Sequence, residues 1–426
     1  MIFFNDYRNT FLRLFFQVKN KFGSIYFYSA LTSLIGALLS FIYVKYAGYE
    51  EFGLFVLLMS LIGVMLDIVS SRTSEGVTYF SKLNYDRKNV IFSGCTFDII
   101  IAVVFSFAIG VLLFSYSSFD VLSKVESEAI ILYGLYPLTR ILFGTSQGIL
   151  IADEKYNEVI IINFLSTLLR LLATFFVIYV TKLNHTTIAL TYAISTIIFV
   201  PFFIKTLYLS KFWYFSSRKI VPGFFSYSVK TFLSSLVKSG NKKIDNLIIG
   251  FYIGPAFLGL YELCKKLVLP VTFLVNPLSN IYFPIFVTNY AAGNFKKIRS
   301  VIKKSSFYIL ALQISYAVIT TLAIIYLPVG IFDDYEFNEI LFVYLSVLIS
   351  FSFIQHTWWC RPFSNSVDPK LSLYVNLLMT LGYLCIVLPL TIFYGKILFL
   401  VSIPLLNLFL YLCWYILLNR KLNYDH

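Results

Sequence analysis

Charge is scarce in this chain. Asp, Glu, Lys and Arg make up 13% of its 426 residues, against ~25% in soluble domains. Apolar residues make up 59%, and the mean hydropathy is +0.81. That imbalance excludes a soluble enzyme, and a disordered or fibrous chain as well. Histidine is rare, with three residues, and cysteine numbers five. Cys95, Cys264, Cys360, Cys385 and Cys413 all lie in apolar runs, without a close Cys/His pair. No metal centre or disulfide framework is expected, and these cysteines read as small buried hydrophobes. No carboxylate pair, histidine cluster or glycine-rich phosphate loop marks an active site. Long polar loops are missing too. A bilayer-spanning helix takes ~20 apolar residues, so twelve would take roughly 240 and leave no room for a soluble catalytic domain.

Apolar runs place spans at 24–45, 52–72, 89–115, 127–150, 157–181, 187–209, 223–250, 255–288, 302–328, 337–359, 371–394 and 397–418. The seventh and eighth carry Lys, Asp and Glu, and Pro270, Pro277 and Pro284 should kink the eighth. Residues 1–22 lack a continuous apolar core and a small-residue cleavage site, so they do not read as a signal peptide. Phe11, Leu14, Phe15, Val18 and Phe22 recur at helical spacing among Arg8, Arg13, Lys19 and Lys21. That pattern predicts an amphipathic segment lying on a membrane surface.

Placed on these spans, the cations segregate. One face collects the N-terminal cations, then Arg72, Lys82, Arg87 and Lys88, then Lys205, Lys211, Arg218 and Lys219. It also collects Lys296, Lys297, Arg299, Lys303 and Lys304. The opposite face keeps Lys45, Lys124, Lys182 and Lys396. The positive-inside rule then puts both termini in the cytoplasm. The net charge of +13 reads as topology rather than as nucleic-acid binding.

The chain also reads as doubled. Gly48 to Phe55 and Gly254 to Tyr261 share the form G-x4-G-L-aromatic, and each lies at an outer hairpin. An even number of spans separates them, so the halves have the same orientation and are related by an axis along the membrane normal. The expected fold is all-α and integral to the membrane. Two six-helix bundles, 23–210 and 223–426, are joined by a cytoplasmic linker at 211–222. Matched bundles of this kind suggest alternating access.

Charges within the spans are costly, by at least ~2.5 kcal/mol on insertion scales, and face a wet cavity or a partner. Arg140 lies on a stripe with Tyr133, Tyr136, Gly144 and Gln147. Arg170 lies on one with Asn163, Ser166, Thr167 and Thr174. Span one shows a third, Ser29, Thr32, Ser33, Gly36 and Ser40. Lys238 and Lys242 share a face with Asp245, and Lys265 and Lys266 share one with Glu262. Cations outnumber acids on these inward faces, so the central cavity is expected to be net positive. An anion would suit it, and phosphate suits arginine by its bidentate geometry. Asp67, Asp98, Asp245 and Glu262 stand as candidates for ion or proton coupling, or for simple ion pairing.

The stretch Lys243-Ile244-Asp245-Asn246-Leu247-Ile248-Ile249-Gly250, running through Gly254, Gly259, Tyr261 and Glu262 to Lys265-Lys266-Leu267, resembles a signature of polysaccharide exporters. These belong to the multidrug/oligosaccharidyl-lipid/polysaccharide superfamily. Gly48…Gly53-Leu54-Phe55 is similar to the equivalent first-half turn, and Gln147 to Tyr156 to the fourth-to-fifth loop. The resemblance implies a MATE-like fold and a Wzx-type flippase of O-antigen or a related polysaccharide in a bacterial inner membrane. It implies carriage of an undecaprenyl-diphosphate-linked oligosaccharide from the cytoplasmic to the periplasmic leaflet. The diphosphate would sit among Arg140, Arg170, Lys238, Lys242 and Lys266, with Lys265 on the same cationic face. It also implies no bond-making chemistry, no cofactor beyond a proton or sodium gradient, and contact with membrane lipids and other polysaccharide assembly proteins. Three alternatives stand beside it. A multidrug extruder of the same superfamily should have an acidic cavity. The peptidoglycan-precursor flippase branch usually carries two extra spans. A membrane-embedded polymerase should carry a large outer loop.

Overall fold

The computed structural model describes residues 27–28, 30–69, 73–83, 85–115, 118, 120–214, 218–229, 243–270, 285–286, 289–290, 292–326, 335–360, 363–364 and 370–424. Among them there are helices and turns and no strand. Such a chain has little choice, because backbone N–H and C=O groups in hydrocarbon must be satisfied within the segment itself. Among the described residues, nine segments are long and apolar enough to cross a membrane, which makes this a multi-pass membrane protein. The last, Tyr374–Lys421, is 48 residues long. It turns at Gly395 (φ 69°, ψ −151°), and Gly382 on one arm comes up against Leu406 on the other. It therefore holds the last two spans read from the sequence. The seventh and eighth run into residues 230–242 and 271–284, outside the described residues, as does the amphipathic segment 1–22.

Several boundaries differ from the sequence reading for identifiable reasons. The helix α1 (Ala30–Ala47) reaches α2 (Tyr49–Val69) through the single residue Gly48, at φ 87°, where a loop was expected. A short helix, α3 (Thr73–Lys82), follows. Its Thr, Ser, Glu and Lys hide it from a hydropathy scan, yet Val77 and Phe80 are buried. After α4 (Arg87–Ser115) the fourth span divides at Phe143 into α5 (Ser127–Leu142) and α6 (Gly144–Ala152). Asp98 on α4 takes the Thr145 N–H that a helical carbonyl would otherwise accept.

The fifth span is α7 (Tyr156–Val180). The sixth is α8 (His185–Ser195), a 3-10 turn over Thr196–Phe199, and α9 (Val200–Ser210). Pro201 lacks the N–H that would continue the α ladder there. Next come α10 (Ile244–Tyr252) and α11 (Pro255–Val268). The ninth span, α12 (Phe295–Tyr326), starts earlier than its apolar part, because the basic run 296–304 is itself helical. The fold ends with α13 (Phe337–His356), α14 (Lys370–Gly382) and, after a π-turn, α15 (Leu388–Tyr424).

The two halves meet where α2 packs along α10 and α11. The doubled motif forms the centre of that contact. A Cβ on Gly53 would fall 1.7 Å from the Pro255 carbonyl oxygen, and one on Gly259 would fall 2.4 Å from that of Tyr49. Gly53 corresponds to Gly259 in the repeat, and Tyr49 to Pro255. Each half thus presents its glycine to the other half's backbone at the matching place. The turn glycines also match, Gly48 at φ 87° and Gly254 at φ 128°, a region closed to most side chains.

Candidate functional site

Two polar clusters lie inside the apolar packing. The first belongs to the N-terminal half. Arg170 on α7 is buried at 8% exposure. Its guanidinium lies over Tyr192 of α8, 3.6 Å from the ring centroid, and 5.0 Å from that of Tyr136 on α5. A desolvated cation over an aromatic face gains ~2 kcal/mol or more. The Arg170 Nε has no hydrogen-bond partner. Behind it, the Tyr43 hydroxyl of α1 lies 3.3 Å from both Thr174 and Thr191. Arg140 donates to Asn163 Oδ1 and lies 5.1 Å from the Phe199 ring centroid. The stripes of spans four and five therefore meet at Arg140 and Asn163. No Asp or Glu makes an ion pair with Arg140 or Arg170 among the described residues.

The second cluster lies beside the seam between the halves. Lys265 Nζ is 3.1 Å from Asp245 Oδ2, 3.2 Å from Glu262 Oε2 and 2.9 Å from Asn246 Oδ1. Lys266 Nζ is 3.1 Å from Glu262 Oε1. Tyr261 donates to Asp245 over 3.1 Å, and Asn246 donates to Ser60 of α2 over 3.0 Å. Two acids balance two lysines, so this cluster is neutral. The excess of cations expected here rests on Lys238 and Lys242, which lie outside the described residues. Lys266, with a side chain 24% exposed against 11% for Lys265, is the more open of the pair.

Asp98 stands apart from both clusters. Asp98 is 1% exposed and accepts from the Thr145 N–H at 2.8 Å and the Thr145 hydroxyl at 2.6 Å. It caps α6 from a neighbouring helix, which suits the positive end of the helix dipole. Asp67 lies on α2, but its side chain is outside the described residues. Asp98→Ala is expected to cost ~1–3 kcal/mol for each Thr145 donor left without an acceptor. Asp98→Asn, which keeps one acceptor oxygen, should cost less. Unfolding midpoints of the two variants in mixed micelles check this. An asparagine variant as damaged as alanine would show that the charge, not the cap, is what matters.

Tyr43, Tyr192, Ser60 and Asn246 were not singled out as site residues from the sequence. Asn246 and Tyr261 belong to the signature stretch around Asp245 and Glu262, which is the sequence signal that carries them. Tyr43 and Tyr192 join Arg170 from spans one and six, a juxtaposition that no local pattern carries.

The apolar spans and the charge clusters buried among them define a multi-pass membrane protein with a polar interior. Solved structures share the fold. The chain is similar to the inward-facing conformation of a multidrug resistance MATE family transporter of the MOP superfamily, with a TM-score of 0.72 and 10% identity, covering 93% of this chain and 94% of that one. It is similar to the MATE multidrug transporter DinF-BH, with a TM-score of 0.62 and 12% identity over 95% of each chain. It is also similar to an outward-facing MATE family transporter, with a TM-score of 0.57 and 11% identity over 95% and 96%. These likenesses establish a MATE-like fold. No curated protein matches the chain. Residues 47–327 match the model of the polysaccharide biosynthesis protein family, and the chain belongs to that family.

Proposed function

We propose that this protein is a flippase for a polyprenyl-diphosphate-linked oligosaccharide. In this reading it moves its substrate between membrane leaflets by alternating access and makes or breaks no bond. The observation that carries the reading is the family match across 47–327, on a chain whose fold is that of a transporter. The buried arginines support it. Arg170 keeps an unpartnered Nε, and Arg140 and Arg170 are held by amide oxygen and aromatic rings rather than by carboxylates. Among the described residues those contacts give neither guanidinium a counter-ion, and a diphosphate would supply one. Lys266 is the cation of the second cluster best placed to join them. The tight crossing of α2 and α11 supports a state closed at the Gly48 end. Opening there, with closure at the opposite end, would complete the cycle.

The test is depletion of the protein in its host, followed by leaflet-resolved extraction of lipid-linked saccharide. Single repeat units should accumulate on the leaflet where they are made, and surface polysaccharide should fall. Arg140→Ala and Arg170→Ala should each lower export ~10-fold or more, the loss of one charge-assisted contact of ~1.5–3 kcal/mol, while the chain still inserts. Normal surface polysaccharide with either variant would remove that arginine from the diphosphate site. The likeness to multidrug transporters favours one second reading, extrusion of cationic drugs. Unchanged lipid-linked saccharide with raised sensitivity to such drugs on depletion would select it.

A further inference from the structure

The start of α12 carries a concentration of charge outside the transport site. Lys296, Lys297, Arg299, Lys303 and Lys304 are all exposed. At 100° per residue they fall within an arc of about 160°. Ile298, Ile302, Ser305 and Ile309 are buried on the opposite side. The helix is therefore anchored by one stripe and offers its cations along the other.

That cationic arc continues directly into the lipid-facing surface. Phe307 (68% exposed), Leu310 and Ile314 lie at the same angles one to three turns further on, and all are exposed. From Lys296 to Lys304 the helix rises ~12 Å, about twice the ~5–7 Å headgroup layer on one side of a bilayer's hydrocarbon core. The charges nearest the apolar surface, Lys303 and Lys304, thus stand at headgroup depth, and Lys296, Lys297 and Arg299 reach down to it from the water side.

The first turn of α12 has no acidic residue, and cations oppose the positive end of the helix dipole. An anionic surface outside the protein suits cations placed there.

We propose that this arc is a docking surface for the phosphate-bearing headgroups of anionic phospholipids, in the leaflet on the basic face. Neighbouring lysines reach separate phosphates, while Phe307 and Leu310 contact the acyl chains beneath. The surface selects lipid by headgroup charge and stands independently of the transported substrate.

The test uses the full chain in nanodiscs containing labelled phosphatidylglycerol and phosphatidylcholine, with retained lipid counted by native mass spectrometry. The wild type should retain phosphatidylglycerol preferentially, and added salt should weaken the preference by screening. The triple variant Lys296→Gln, Lys297→Gln, Lys303→Gln should lose at least ~10-fold in preference, since each membrane-surface cation contributes about fivefold. The triple arginine variant should keep it. Equal retention of the two lipids by the wild type would overturn the proposal, whatever the variants do. So would a glutamine variant with undiminished preference. Displacement of the lipid by inorganic phosphate, beyond the effect of chloride at equal ionic strength, would reassign the arc to a soluble anion and overturn it as well.

Discussion

Lys265→Met is expected to destabilise the protein by ~3–5 kcal/mol, the usual cost of removing one member of a buried ion pair. The ammonium lies between Asp245 Oδ2 and Glu262 Oε2, at 3.1 and 3.2 Å. Methionine fills its volume and leaves both carboxylates facing each other in a dry seam. Asp245 suffers more, because Glu262 keeps Lys266 at 3.1 Å. The double variant Lys265→Met, Asp245→Leu should therefore regain more than half of the loss. Replacing a complete buried pair by apolar groups is often neutral or stabilising. Chemical unfolding in mixed micelles measures both. A single variant within ~1 kcal/mol of wild type, the level of an exposed ion pair, would mean that water reaches the seam and screens the cluster.

On the proposed function, Gly53→Leu and Gly259→Leu should each reduce export by at least ~10-fold while the chain still inserts. The added side chain meets backbone, the Pro255 carbonyl for Gly53 and the Tyr49 carbonyl for Gly259. Neither obstacle can rotate away, so the helices must separate. Overpacking of this kind costs ~1–3 kcal/mol and sometimes more, and here it acts at the contact between the halves. Gly110→Leu is the control, because Gly110 is exposed on α4 and a Cβ there meets nothing within 4 Å. Surface polysaccharide, normalised to protein in the membrane, checks all three. Activity of the Gly53 variant equal to that of the Gly110 variant would show that the crossing tolerates separation.

Much of this was legible because lipid imposes strict rules. Apolar runs must become helices, so the spans that fall among the described residues were readable. The stripes of Arg140 and Asn163 were visible at helical spacing, but spacing along one helix does not say which neighbour it meets. The doubled glycine turn was visible as a motif, and the structure supplies its physical reason, two backbones approaching too closely for any side chain. Features governed by polar backbone competition were less legible. The break at Phe143 depends on Asp98, far away in sequence, reaching Thr145. Helix α3 is polar along much of its length, and hydropathy passes over it. Tyr136 shares a helical stripe with Arg140, but tyrosine is common in a chain with 32 of them, and sequence offers no means of choosing Tyr43 and Tyr192 from the rest. The balance of the second cluster was hidden for a simpler reason. Counting charges on helix faces does not show that Lys265 is shared between two acids.

The crossing of α2 and α11 also bears on ancestry. A contact in which Gly53 meets Pro255 and Gly259 meets Tyr49 is one contact made twice, as at the two-fold axis of a homodimer. A half-length chain with a single G-x4-G-L-aromatic turn would make it between two identical subunits. Under such an origin most positions are free to diverge, as the caged arginine of one half and the shared lysine of the other do. The glycines on the axis have no such freedom, because each is held in place by the backbone of the opposite half.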